Sequence, residues 1–458
     1  MAPGEGVASH ADSESCAAVR EAGGLRSLLR RGIVQMIPRL RDEIRRNPFV
    51  WVIVCLCAIH YVAQLVKGPI RMHDIEVDYT AAQHLLTGGP IYFQPFGLES
   101  GLYKYSPFAL FLLVPLACLP LVVAKTAHFL VTVALIVVTT LALERFLSET
   151  FFAGQRARAT PIQLLSTLVV VVLYERELGL GNHTVMLLGM ILWSLELILA
   201  GMEYRAGALL GLAMLIKPHF LVLIPLLILR RRVKTLVGLA ACVCAGVVVP
   251  TVVLGVARSA ALHADWVQTM IAHNARIAAD VNTIEGLLLR AAGTGAPGDA
   301  GAGHALGVIG AAAVAVWLFV ALNQRRERTA GTDPAREPLA TRAFALEYFV
   351  LVALVPNLVV TDSEHFLWSL PVVMFLVGFL VYEHRGGPLL PAWSVVIFFL
   401  FGCDWYEVWG RRLSMWIEAS GALGLANVLI LLTAALVFST HDWNLAWQAR
   451  PAESSSCR

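Results

Sequence analysis

Charge is scarce in this chain. Of its 458 residues 15% are Asp, Glu, Lys or Arg and 58% are hydrophobic, whereas ordinary soluble domains carry about 25% charged residues. That balance excludes a soluble globular protein. Period-two alternation is missing as well: the apolar runs are continuous, which argues against a membrane β-barrel. The eight cysteines supply no framework. Cys55/Cys57 and Cys242/Cys244 are two residues apart and point to different sides of a helix, Cys16 and Cys457 lie in the tails, and none has a metal spacing with histidine. They read as small apolar packers. No internal repeat is visible, nor a pair of matched broken helices of the kind that marks many secondary transporters. The net charge of +3 carries little information, and no nucleic-acid partner is expected.

What is present is a series of apolar runs, many of about 20 residues, the length that crosses a hydrocarbon core of about 30 Å. In lipid only helices and closed barrels satisfy the backbone, so the fold class is an all-α polytopic membrane protein. The expected spans are 49–66, 107–123, 126–143, 162–175, 184–202, 206–229, 235–257, 304–323, 342–360, 364–382, 388–403 and 420–439. Residues 1–16 are small and polar. In 17–46, Leu25, Leu28, Leu29, Ile33, Ile37 and Leu40 recur at helical spacing among Arg26, Arg30, Arg31, Arg39, Arg41, Arg45 and Arg46, which reads as an interfacial amphipathic helix on an anionic leaflet. The domain plan is therefore a basic cytoplasmic segment 1–48, a membrane region 49–385 with outer loops 67–106 and 258–303, further spans over 386–439, and a cytoplasmic tail 440–458. The arginine-rich start places the N-terminus in the cytoplasm, and the loops 230–234, 324–328 and 383–385 then fall inside. Loop 144–161, with Arg145, Arg156 and Arg158, falls outside and breaks the rule.

Against this background, three carboxylates in HDIEVD, namely Asp74, Glu76 and Asp78, are conspicuous. Val77, Ala81 and Leu85 give the segment a helical apolar face, so Asp74 reads as a first-turn acid, and Glu76 and Asp78 as solvated charges. The loop they open is about 40 residues long, which is unusual, and it holds Tyr79, Tyr92, Tyr103 and Tyr105. Tyrosines at that level serve as interface anchors or as flat faces for a sugar. Lys217, inside an apolar run and followed by Pro218, is either a phosphate contact or a snorkelling or paired cation. His365 follows Asp362 and Glu364 and is either a functional imidazole or part of a solvated turn. Asn282 reads as a loop hydrogen-bonder or a binding residue, and Arg258 and Arg276 as contacts to phosphate or to lipid headgroups.

The run Asp74-x-x-x-Asp78-Tyr79-x-Ala81-Ala82-x-x-Leu85-Leu86-x-Gly88-x-x-x-Tyr92, followed by Tyr105-Ser106-Pro107, resembles the first outer loop of glycosyltransferase family 87. That family belongs to the GT-C superfamily of polyprenyl-phosphate-sugar-dependent transferases and includes mannosyl- and arabinofuranosyltransferases of the bacterial cell envelope. Its pattern is an acid, three residues, two aromatics and two alanines; Asp74 matches the catalytic acid, and Asp78 replaces one aromatic. Gly179-Leu180-Gly181-Asn182 is similar to the family's Gly-Gln-x-Asn, with Leu180 in place of glutamine. Ala206-Gly207 to Gly211 with Lys217-Pro218, Asn282-Thr283, and Pro356 followed by His365 continue the resemblance, which covers roughly 50–385.

The resemblance implies a GT-C-like bundle of about 11–12 spans with periplasmic juxtamembrane helices, in a bacterial inner membrane with the site on the extracytoplasmic side. It implies transfer of a sugar, mannose first, from a polyprenyl-phosphate donor to a hydroxyl of a glycolipid or polysaccharide. Asp74 and His365 would be catalytic, and Asp78, Tyr79, Tyr105, Lys217, Arg276 and Asn282 would bind substrate. Arabinofuranose transfer, or a lipid-sugar transporter using the same groove, are the alternatives. No metal-ligand spacing is evident, and a divalent metal stays open because some GT-C enzymes use one.

Overall fold

The computed structural model describes residues 43–443 except 69, 97–100, 277–279, 292–308, 311–312, 315, 319, 321–335, 360–361 and 442. The basic segment 17–42, most of the expected span 304–323, the loop 324–328 and the tail from 444 lie outside the described residues. No strand occurs among those described. Among the described residues six helices are long and apolar enough to cross a bilayer, so the chain is an all-α polytopic membrane protein.

Helix α1 (Pro48–Lys67) starts on an Asn47 cap that accepts from Phe49 N, with proline in its first turn. It is followed by the short α2 (His73–Thr87), then by α3 (Pro107–Ala117), an 11-residue helix opened by Ser106. Next comes α4 (Leu121–Phe151), whose 31 residues extend about 46 Å at 1.5 Å per residue. Two ion pairs fix its direction. Lys125, near its start, donates to Ile70 O (3.0 Å), Arg71 O (2.7 Å) and Glu76 (2.8 Å), all beyond the end of α1. Arg156, just past its end, bonds Glu43, just before α1, and Glu144 at 2.9 Å. Helix α4 thus runs antiparallel to α1 as one span. The face holding the start of α1 is called near, and the opposite face far.

This corrects the two expected spans 107–123 and 126–143. Helix α3 is too short to cross, and α4 crosses once. Loop 144–161 therefore sits on the near face with the start of α1, and the exception to the charge rule disappears. The misreading has a physical cause: the apolar sequence on either side of Pro120 is continuous enough to hide a non-crossing helix.

The chain then zigzags. Helix α5 (Ala159–Leu180) returns to the far face, where Met72 N donates to Gly179 O (3.1 Å). A turn at 181–183 bends the path by 116° into α6 (Thr184–Leu199). Helix α7 (Glu203–Ile216) climbs to Lys217 and stops at Pro218, which starts a 3-10 turn and then α8 (Leu223–Leu229). The chain has reversed by Arg232, which pairs with Glu203 at 3.0 Å. The expected span 206–229 is therefore two arms with Lys217 at the apex. Helix α9 (Val233–Leu254) rises alongside α7. Gly207 lies against the Thr235 carbonyl and Gly211 against Cys242, the close backbone approach that small residues allow.

Helix α10 (Val256–Arg276) lies on the far face, tied down by Arg258 to Leu85 O (3.2 Å) and Trp266 to Lys104 O (3.0 Å). Helix α11 (Ile284–Ala291) follows. Helix α12 (Arg336–Leu358) rises from Arg342, which donates to Thr150 O (2.8 Å), to Asn357, which donates to Asn282 O (2.7 Å). Residues 363–369 form a 3-10 turn leading into α13 (Leu370–Tyr382), α14 (Leu389–Gly402), the far-face α15 (Tyr406–Ser420) and α16 (Ala422–Thr440). The last described residues are not a loose tether: Trp443 is 1% exposed, packed on Phe151, Phe375 and Phe438, and its carbonyl accepts from Arg342 at 3.2 Å. The core lies among α4, α5, α6, α12 and α13, while Trp51, Ile59, Val62 and Val66 of α1 and Val252 and Val253 of α9 face outward as lipid would require.

Candidate functional site

Four chain segments converge at the far ends of the spans: the first turn of α2, the α5–α6 turn, the α7–α8 apex, and the 3-10 turn before α13. The α5–α6 turn allows the approach. Gly181 has φ +76°, and a Cβ there would meet Met72 Cε at 3.1 Å and Ile75 Cγ2 at 3.2 Å. Met72 itself caps α2 at φ 35°, an uncommon value for a residue with a side chain, which marks the entry as tightly constrained.

Asn182 sits at the centre. Its Oδ1 accepts from His183 N (2.7 Å) and Lys217 Nζ (3.0 Å), its Nδ2 donates to Glu364 Oε1 (2.8 Å), and its carbonyl accepts from His128 Nε2 (3.3 Å). Lys217 is 6% exposed and also donates to His365 Nε2. The imidazole tautomer follows from its partners. Nδ1 of His365 faces the Asp362 carbonyl at 3.0 Å and must donate, so Nε2 is the acceptor. Lys217 is thus no snorkelling cation and makes no direct ion pair with a carboxylate among the described residues. Its ammonium is held by two neutral acceptors and lies 5.9 Å from the centroid of the Tyr105 ring.

Asp74 lies in the first turn of α2 without acting as its cap. Among the described residues its carboxylate makes no hydrogen bond or ion pair. Partial burial, followed by the charges of Asp78 and Asp362, pushes its pKa up to about 6 against the pull of Lys217 and Lys104. Asp78, one turn on, is 4% exposed, and its Oδ2 accepts from His183 Nε2 at 2.7 Å. Asp78 is therefore a buried, paired acid rather than the solvated charge its sequence context suggests, and Glu76 is held by Lys125.

The remaining expected residues divide. Tyr105 is part of the cluster, 5.7 Å from the His183 ring. Tyr79 is not: its hydroxyl donates to Leu119 O (2.7 Å) inside the α2–α3 packing. Asn282 borders the cavity described next, but its Oδ1 accepts from Gly424 N (3.0 Å), a structural joint. Arg276 ends α10, and its side chain lies outside the described residues. His183, Glu364, Asp362 and His128 went unselected by sequence reasoning. The available signal was Asn182-His183 in a turn between two apolar runs, where polar side chains need partners.

A cavity of about 1060 Å³ opens beside this cluster. One wall is α1, where the outward-facing Leu56, Ile59 and Ala63 are joined by His60, Gln64 and Lys67. The other is polar: Arg71, His73, Arg176, Asp280, Asp362 and Glu364. Arg176 is clamped by Ser363 and Asp404, and burial raises the Asp280 carboxyl above its ordinary range. Asp362, Glu364 and His365 bring one ligand-type atom each within 4.8 Å of the others. Both imidazole nitrogens of His365 are engaged, Glu364 Oε1 holds Asn182, and the Lys217 ammonium abuts the imidazole. In this arrangement the trio does not fit a divalent cation.

The sequence model of glycosyltransferase family 87 matches residues 103–333. The chain belongs to glycosyltransferase family 87. Glycosyltransferase activity follows from that membership. The matched stretch carries Tyr105, Asn182, His183, Lys217 and Asn282, while Asp74 and His365 lie outside it. No curated protein and no solved structure matches this family 87 chain.

Proposed function

We propose that this glycosyltransferase moves a sugar from a polyprenyl-phosphate donor to a hydroxyl of a cell-envelope glycolipid or polysaccharide, with inversion, using Asp74 as general base. The observations that support the reading are the Asp74 carboxylate, which has no hydrogen-bond or ion-pair partner among the described residues and feels the charge of the buried Lys217, and a nearby cavity, lined by the adjacent His73, that sets apolar side chains of α1 against polar groups. A lipid-linked sugar needs such a cavity, apolar along the tail and polar at the head.

In the step, Asp74 takes the acceptor O–H proton as that oxygen bonds the anomeric carbon. The bond from the anomeric carbon to the phosphate oxygen breaks, and its electron pair leaves with the phosphate. A single base with no covalent intermediate gives inversion, as in inverting glycosidases. Lys217 supplies positive charge for the leaving phosphate. Tyr105 offers a ring to the sugar beside it. His365 accepts from Lys217 and so sets where that ammonium points. The near face, which carries Arg156, Arg158 and Arg230 to Arg232, is the cytoplasmic one, so the site is extracytoplasmic. Mannose is the first sugar to test and arabinofuranose the second.

The test is incubation of the purified protein with a panel of polyprenyl-phosphate sugars and envelope glycolipids, followed by product analysis. One donor should be consumed. Asp74→Asn should retain donor binding and lose roughly 100- to 10,000-fold in turnover, the usual worth of a positioned base. Turnover at the wild-type rate in that variant removes Asp74 from the role. Vesicle transport of a labelled lipid-sugar without product formation favours a transporter instead.

A further inference from the structure

The structure gives Asp78 a dedicated partner. Asp78 is 4% exposed, His183 is 7% exposed, and Asp78 Oδ2 lies 2.7 Å from His183 Nε2. A carboxylate only accepts, so the imidazole donates. Residues four apart share a helix face with Cβ atoms about 5–6 Å apart, which puts Asp78 on the face that carries Asp74. His183 follows Asn182, which holds Lys217 and Glu364. The bond therefore ties the helix that carries the proposed base to the turn whose Asn182 holds the proposed phosphate cation.

Resting on the reading of Asp74 as base, we infer that Asp78 and His183 are positioning residues. The dyad fixes the spacing between Asp74 and Lys217, and it keeps a negative charge one turn from the base so that Asp74 holds the proton it abstracts. The groups acting on Asp74 from the packed elements are Asp78 on α2, Asp362 before α13, Lys217 at the α7 apex and Lys104 in the loop before α3. Around the dyad stand His128 of α4, its ring 5.1 Å from that of His183, and Tyr105. Asp78 is first among the neighbouring charges that raise the proton affinity of Asp74, behind burial itself, so its removal should weaken the base in a definite direction.

The experiment is the pH–rate profile of the full-length enzyme, with kcat and donor KM, for Asp78→Asn, His183→Gln, His183→Leu and Asp74→Asn. Asp78→Asn should move the acidic limb to lower pH by about half to one unit, the expected effect of one charge at this distance in a partly solvated site, with kcat reduced and donor KM unchanged. His183→Gln keeps an N–H donor and should stay within about threefold of wild type. His183→Leu, similar in bulk and unable to donate, should lose tenfold or more in kcat at unchanged KM. A limb that stays in place in Asp78→Asn, or glutamine and leucine behaving alike at position 183, overturns the inference. If Asp78→Asn does not fold, the Asp78→Asn/His183→Gln double variant still deletes the charge and should show the same downward limb shift; an unmoved limb there also overturns it. Asp74→Asn separates the two levels. Retained turnover in that variant sinks the base assignment itself, whereas an inactive Asp74→Asn beside unmoved dyad variants sinks only the dyad.

Discussion

Asp74 concentrates the chemistry at the scale of one residue. Its folded pKa, about 6, lies above the ordinary carboxylate value, first through burial and then through Asp78 and Asp362. A base must be deprotonated to act. Activity should therefore be flat above the folded pKa and fall about tenfold per pH unit once pH drops below about 6, the slope of a single ionisation. The kcat/KM profile of the free enzyme reads this directly, and a limb near the usual carboxylate value of about 4 means that Asp74 is not the group that titrates. The acid itself was legible in the chain, because three carboxylates beside a long apolar run ask for an explanation. Its neighbours were not: His183 and Glu364 come from segments more than a hundred residues away, and Glu364 looked like part of a solvated turn until its burial was seen.

Among the elements, α7 and α9 show how small residues place the cation. Their parallel contact depends on Gly207, where an added Cβ would come 1.9 Å from the Thr235 carbonyl oxygen, a backbone atom that no rotamer change moves. Gly207→Ala should lower the melting temperature of the purified protein, by about 1–3 kcal/mol or more of stability, the usual cost of overpacking. It should also reduce turnover, since α7 carries Lys217. A melting temperature equal to wild type means that the two helices do not pack as described. The helices themselves, and the break at Lys217–Pro218, follow from sequence rules about proline. That the break reverses the chain does not: an isolated proline kinks a helix or ends it, and contacts such as Glu203 with Arg232 decide which.

For the whole molecule, the packing decides which segments share one end of the bundle. Hydropathy finds apolar length but cannot tell a crossing helix from an 11-residue helix that stops short. The pairing of Arg156 with Glu43 and of Lys125 with the backbone after α1 makes α4 a single crossing. Cysteines placed at the exposed positions Ala157 and Thr87, in a background lacking native cysteine, should therefore react with an impermeant maleimide from opposite membrane faces. Labelling of both from one face returns loop 144–161 to the side of α2 and overturns the topology.

The composition by itself determined that this is a helical membrane protein, because lipid offers the backbone no other partner and so few charges are available to face water. The order of the residues also determined the family resemblance and the acid soon after the first span, since both are local patterns. Tertiary structure alone decided which helices cross, that Asp78 is buried against His183, that Lys217 is held by Asn182 and His365, and that a cavity with a lipid-facing wall opens beside them. Those facts depend on side chains brought together across the bundle, and no local pattern encodes the distance between residues 78 and 183 or between 217 and 365.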